Sequence, residues 1–277
     1  MDDLENFEAL YRELGDLRGE LALLFEELEF VNRVLIPRTQ INYLIKVGAL
    51  RVELLQTQVG VMKIRRRISL LRSNIDNDGT ISNDLIYDRV DAEFADWDSR
   101  LAHEVSQIET AKARFSSLAP SEDENEIRGI FRALCRKLNP EINPDQSDEA
   151  KSFWPSVYSA YTGGDLFHLK ALLLMSDDYP DSYDLPSNVG AMRKGRSALK
   201  EKIRRAKLEL QNAKSHPAFE WLALINDGER LSTEQRCLRD AIARMKAQLA
   251  ALIDMQKSLE PRSARSCFFQ DEPGEDR

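Results

Sequence analysis

Arg128, Arg132 and Arg136 recur at intervals of four residues, with Lys137 beside the last. Residues so spaced stack along one side of a helix, so the row offers a stripe of guanidinium groups. Each group can grip a carboxylate through two parallel hydrogen bonds, which suits the stripe to an acidic partner. The alternative is a charged face turned to solvent. Asn139-Pro140-Glu141 follows at once. Proline disfavours helical geometry in the residue before it, so the helix is expected to end at Asn139.

The elements that hold these residues are legible from their periodicity. Ile127, Phe131, Leu134 and Leu138 form one apolar face of the helix that carries the arginines. The loop runs on through Ile142-Asn143-Pro144-Asp145. A second amphipathic segment then carries Phe153, Trp154, Val157, Tyr158 and Tyr161. Aromatic residues in such a pattern belong to a core, where they bury large apolar area. A helix that starts near Ser147 or Asp148 would hold Pro155 in its interior and kink there. One that starts near Ser152 puts Pro155 in the tolerated first turn, and this second start is preferred. Gly163-Gly164-Asp165 breaks it, and Leu166, Leu169, Leu172 and Leu173 predict a last short helix packing back.

Over residues 121–175 the order of elements, with "RKLNPEINP", "FWPSVYSAY" and "GDLFHLKALLLM", resembles the J domain. That is the module by which DnaJ-type co-chaperones engage a DnaK-type ATPase. The likeness is to bacterial J-domain-like proteins in which the module sits between long coiled-coil helices. It implies a basic helix face toward the chaperone, hence a partner-binding set of Arg128, Arg132, Arg136, Lys137, Asn139, Pro140 and Glu141. In that family the loop reads His-Pro-Asp, and its His and Asp are needed to stimulate ATP hydrolysis. An Asn amide is neutral and smaller than imidazole, and Glu carries its carboxylate one methylene farther out. The implied module binds a partner without ordinary stimulation. A working co-chaperone is the first alternative, and a structural coiled-coil protein with the module as a spacer is the second. The tripeptide by itself also reads as a plain helix-ending turn kept for packing.

The flanks read as long helices. Phe7, Leu10, Leu14, Leu17, Leu21, Leu24, Leu28, Val31 and Leu35 alternate three- and four-residue steps, the pattern of a coiled-coil seam. Pro37 is expected to stop that helix. Ile41, Ile45, Val52, Leu55, Val59 and Met62 continue the spacing after a short link, which predicts an antiparallel hairpin. Asn74 to Asn83 reads as a loop, and Val90, Phe94, Trp97, Leu101, Val105, Ile108 and Phe115 mark a third long helix closed by Pro120. Ser232 with Gln235 suggests a capping box that opens the last helix. The division expected is a coiled-coil region over 1–118, the J-like module over 121–175 and an acidic linker over 176–189. A helical hairpin over 190–259 and a disordered tail over 260–277 follow. The fold class is all-α: long helical hairpins or coiled coils flanking a small helical module.

Charge is unevenly spread. The first 29 residues hold ten Asp and Glu against two Arg, whereas residues 193–207 hold eight Lys and Arg against one Glu. These regions can attract each other within one chain or between two, so self-association through the seams is expected as one alternative. A net charge of −8 argues against general nucleic-acid affinity. The basic helix from Arg193 has no interleaved aromatics or binding module beside it. Cys135, Cys237 and Cys267 match no metal or redox spacing and suit a reducing cytoplasm. The acidic start has no signal-peptide pattern, and no apolar run is long enough for a bilayer. His103, His168 and His216 stand at no metal-ligand spacing, Gly163-Gly164 lacks the Lys-Ser/Thr of a phosphate loop, and no Gly-x-Ser-x-Gly occurs. The expectation is a cytoplasmic, non-enzymatic interaction protein without cofactor or metal.

Overall fold

The computed structural model of the chain describes residues 2–77, 81–115, 123–144, 146–176 and 189–268, with backbone alone at 2–6, 262 and 264–268. Among the described residues there are helices and turns and no strand, so the fold is all-α. The chain divides into two units, Met1–Thr39 with Leu118–Glu220 and Gln40–Ser117 with Trp221–Arg277. Each unit joins segments distant in sequence, unlike the contiguous division read from the sequence.

In the first unit, α1 (Asp2–Phe30) lies along α8 (Val189–Lys214). Leu10, Leu14 and Leu21 of α1 and Met192, Leu199 and Ile203 of α8 are buried in one cluster, with Leu17 and Leu24 packed against it. Ion pairs flank this apolar row. Lys200 Nζ meets Glu13 at 2.7 Å, Lys207 meets Glu20 at 2.7 Å and Lys214 meets Glu27 at 2.7 Å. Each pair lies one heptad beyond the last on both helices, so α1 and α8 run parallel. The acidic and basic regions noted in the sequence meet within the chain.

The same unit contains α5 (Glu124–Leu138), α6 (Asp148–Gly163) and α7 (Leu166–Met175). Ile127, Phe131, Leu134 and Leu138 are buried, as the periodicity predicts, together with Ile130 and Cys135. Phe131 stacks on Tyr161 with ring centroids 3.7 Å apart, and Phe25 of α1 meets the edge of Trp154 at 5.9 Å. This aromatic cluster fastens α5 and α6 to α1. Gly164, at φ 66°, ends α6 in the left-handed conformation that glycine adopts without strain. The Asp165 carboxylate then caps α7 by accepting the His168 N–H at 2.9 Å.

In the second unit, α3 (Ala49–Asp76) lies between α10 (Gly228–Phe268) and α4 (Asn83–Phe115). Arg51 pairs with Glu234, Lys246 with Glu53, and Asn74 Nδ2 bonds Ser263 Oγ at 2.8 Å, so α3 and α10 are parallel. Lys63 reaches Asp98, Arg66 reaches Glu93 and Arg67 reaches Asp91, so α3 and α4 are antiparallel. Lys63, Arg66 and Arg67, midway along α3, are thus matched by carboxylates of α4. At the closed end of this pair the Tyr87 hydroxyl donates to the Glu260 carboxylate, and Gln256 Nε2 donates to the same oxygen at 2.7 Å.

Four expectations need correction. Pro37 does not stop a helix: it lies in α2 (Ile36–Tyr43), between π-helical turns at Val31–Leu35 and Leu44–Gly48, and no hairpin turn forms there. The wider turn takes the Ile36 N–H to the Val31 carbonyl, a shift of register that accommodates a residue without an N–H. Pro155 lies inside α6, which starts at Asp148 because Ser147 caps it by accepting the Ala150 N–H at 3.2 Å. Asp227, not Ser232, caps α10, accepting the Arg230 N–H at 3.0 Å; Ser232 sits within the helix. The expected tail is helical as far as Phe268, with Pro261 inside α10 and Ser263 buried. Residues 177–188 of the expected linker, Pro120, and residues 269–277 lie outside the described residues.

Candidate functional site

The arginine row on α5 divides in the folded unit. Arg128 Nε donates to Glu26 Oε1 at 2.5 Å, and an Arg132 terminal nitrogen donates to Glu26 Oε2 at 3.0 Å. Glu26, on α1, is 1% exposed. A buried carboxylate needs charge-assisted partners, and the two arginines supply them. The Arg128 guanidinium also sits 3.9 Å from the centre of the Phe30 ring, a cation–π contact. Two members of the stripe therefore clamp α1 to α5, and Arg136 alone of the three is exposed. Lys137 is half-buried, its Nζ 3.4 Å from the Ser176 carbonyl just past α7.

The loop after α5 is a capping device. Asn139 is 1% exposed, and its side-chain oxygen accepts the Glu141 N–H at 2.8 Å, which closes the turn around Pro140. Its backbone carbonyl accepts from the N–H groups of Ile142 and Asn143. The last carbonyls of a helix have no partner within it. Here Asn143 Nδ2 donates to the Arg136 carbonyl at 2.6 Å, and Gln146 Nε2 donates to the Leu138 carbonyl at 3.0 Å. Both amides are buried. Pro140 is half-buried and the Glu141 side chain is exposed, while the Glu141 carbonyl accepts from Lys202 Nζ of α8. Asn139 is thus packed inward and Glu141 outward.

Other titratable groups nearby are held quiet. Burial, with Glu26 and Glu29 close by, pushes the Cys135 thiol well up, so it stays protonated and is a poor nucleophile. Burial and the Glu26 carboxylate likewise raise Tyr161 above the ordinary phenol range. Tyr158 OH donates to Glu29 at 2.8 Å, and the Arg33 guanidinium lies over the Tyr158 ring. Among the described residues no group of three or more His, Cys, Asp or Glu is placed to hold a metal ion, and no helix is long and apolar enough to cross a membrane.

Sequence reasoning did not single out Glu26. Its signal lay in the row Arg18, Ala22, Glu26, spaced by four and all buried beside the Leu14–Leu21 seam. It also missed the outer face of α7. There Phe167 is 85% exposed and Leu174 is 73% exposed, on a helix that is apolar nearly all round. No family model, curated protein or solved structure matches the chain.

Proposed function

We propose that the chain is a non-enzymatic protein-interaction and assembly protein whose J-like module docks a partner without driving its ATPase. The exposed apolar face of α7 carries this reading. Phe167, Ala171 and Leu174 follow one another down one side of the helix, with Met175 beside them, and an apolar row left in water marks a surface that another protein covers. Lys137 reaches the Ser176 carbonyl at the end of α7, and its neighbour in sequence, Arg136, is exposed and adds positive charge to α5. The occupant that suits this combination is a protein surface with an apolar ridge and acidic flank, of the kind a DnaK-type chaperone would have to offer. Inward packing of Asn139 supports docking without stimulation, because a buried amide cannot reach a partner.

The test is the ATPase of a purified DnaK-type chaperone, with capture of that chaperone measured alongside. Native protein should be captured with little or no stimulation. Phe167→Glu with Leu174→Glu, or Arg136→Glu with Lys137→Glu, should reduce capture at least about tenfold, since complementary rim charge and buried apolar anchors set association. Strong stimulation by the native chain would instead establish a working co-chaperone. Unchanged capture by both double variants would refute the docking surface. A second reading, in which the module is a spacer in a structural assembly, is favoured by the heptad-spaced ion pairs along α1 and α8. It predicts no chaperone capture at all.

A further inference from the structure

The cations of α3 divide by face. Lys63, Arg66 and Arg67 meet carboxylates of α4. Arg65 and Arg72 are exposed, and among the described residues neither has a carboxylate within ion-pair distance. The chain holds 47 Asp and Glu against 39 Lys and Arg, so two arginines left unmatched are not explained by a shortage of acids. Arg72 finds only the Met255 thioether, a weak acceptor, at 3.3 Å. Both arginines line one groove of about 630 Å³ between α3 and α10. Ser69, also exposed, lies between them, and Leu252 and Met255 of α10 supply an apolar wall. Asp76, the acid that lines the groove, stands one turn beyond Arg72 and is within ion-pair distance of neither arginine.

Spacing and charge define what fits. Residues 65 and 72 are two helical turns apart, about 10 Å along α3 and on nearly the same side. Two long side chains so placed can lean toward one group standing over Ser69. A carboxylate is satisfied by a single guanidinium fork. A phosphate monoester, with three acceptor oxygens and nearly two negative charges, can take a fork from each arginine and a hydrogen bond from the Ser69 hydroxyl. The groove is larger than a bare phosphate and has the size of a small-molecule site. Leu252 and the adaptable thioether of Met255 suit an apolar or aromatic group beside the phosphate. We propose that this groove binds a soluble phosphate monoester bearing an apolar group, its phosphate held by Arg65, Arg72 and the Ser69 hydroxyl. The site belongs to the second unit and does not rest on the α7 docking surface.

Titration calorimetry of the full chain with phenyl phosphate, inorganic phosphate and benzoate, at one ionic strength, tests the assignment. Phenyl phosphate should bind saturably at one site, about tenfold or more tighter than either of the others. Arg65→Gln with Arg72→Gln should weaken it at least about tenfold and leave the melting curve unchanged, since neither arginine holds an ion pair. Arg65→Lys with Arg72→Lys, which keeps the charge without the fork, should fall between. Met255→Glu, a change at an exposed position, sets a negative charge on the apolar wall and should also weaken binding, which decides the matter if the glutamine variant does not fold. Phosphatidylcholine vesicles containing phosphatidate should not recruit the chain, and recruitment lost in the glutamine variant would overturn the soluble ligand in favour of a lipid headgroup. Absence of saturable phenyl phosphate binding, equal affinity for benzoate, or full affinity in a folded glutamine variant each overturns the site.

Discussion

The clamp of Glu26 by Arg128 and Arg132 shows how one buried carboxylate decides the fate of a surface motif. A basic row at regular spacing is legible in sequence, but whether it faces water depends on what lies across from it. Here an acidic residue from a segment about a hundred positions away lies across from it; the spacing of α1 marks Glu26 as inward-facing but does not name α5 as its partner. Glu26→Gln keeps the shape and removes the charge. It should lower stability by about 1–3 kcal/mol, less than for a wholly buried pair because both arginines are partly exposed. The shift in urea midpoint measures it, and an unchanged midpoint would mean the clamp is energetically idle. Tyr87 offers a second case. Burial, then the bond to Glu260, pushes its hydroxyl up from 10.0 to about 12. The neutral phenol is the folded form, so its contribution is whole below about pH 10 and is lost as the pH rises toward about 12. Native protein should therefore lose more stability across that window than Tyr87→Phe does, as followed by circular dichroism. Parallel alkaline curves for the two would contradict the assignment.

Individual helices were largely readable, and their ends were not. The apolar faces of α5 and α1 follow from period alone, because burial of a face requires that period whatever lies opposite. Pro37 and Pro155 misled for a shared reason. A proline penalises a helix interior by an amount that neighbouring structure can absorb, through a π-helical turn in one case and a strong serine cap in the other. The expected hairpin failed with Pro37, since no turn forms there and each long segment finds another partner. Leu21 tests the partner that α1 does find. It is buried against the α8 side of the core, so Leu21→Asp sets an unpaired charge in an apolar interface. The loss should exceed about 3 kcal/mol and lower the melting temperature of the first unit by many degrees. A melting curve that matches the native one would show that the seam does not bear on stability.

At the level of the whole chain, the charge asymmetry announced an attraction, and the structure supplies its geometry as a parallel register of acids on α1 with bases on α8. What sequence could not reveal was which stretch pairs with which, because both units are stitched from segments far apart. A chain ending at residue 188 would keep α1, α5, α6 and α7 but lack α8. It should show less helix per residue than the full chain and should self-associate, since the seam of α1 would lack its cover. Light scattering and circular dichroism on that fragment check the point, and a monodisperse, fully helical fragment would count against it.

The parallel register also has a temporal side. Lys200 lies 187 positions beyond Glu13, and Lys214 lies as far beyond Glu27. During synthesis at about 5–20 residues per second, α1 leaves the ribosome about 10–40 s before the helix that covers it. For that interval the row through Leu10, Leu14 and Leu21 lacks the α8 residues that complete its burial. Adjacent ribosomes on one message carry the same bare row, close together and at the same stage. Pausing ahead of α8 would lengthen the interval and favour aggregation, so the yield of folded protein should depend on translation speed between residues 30 and 189.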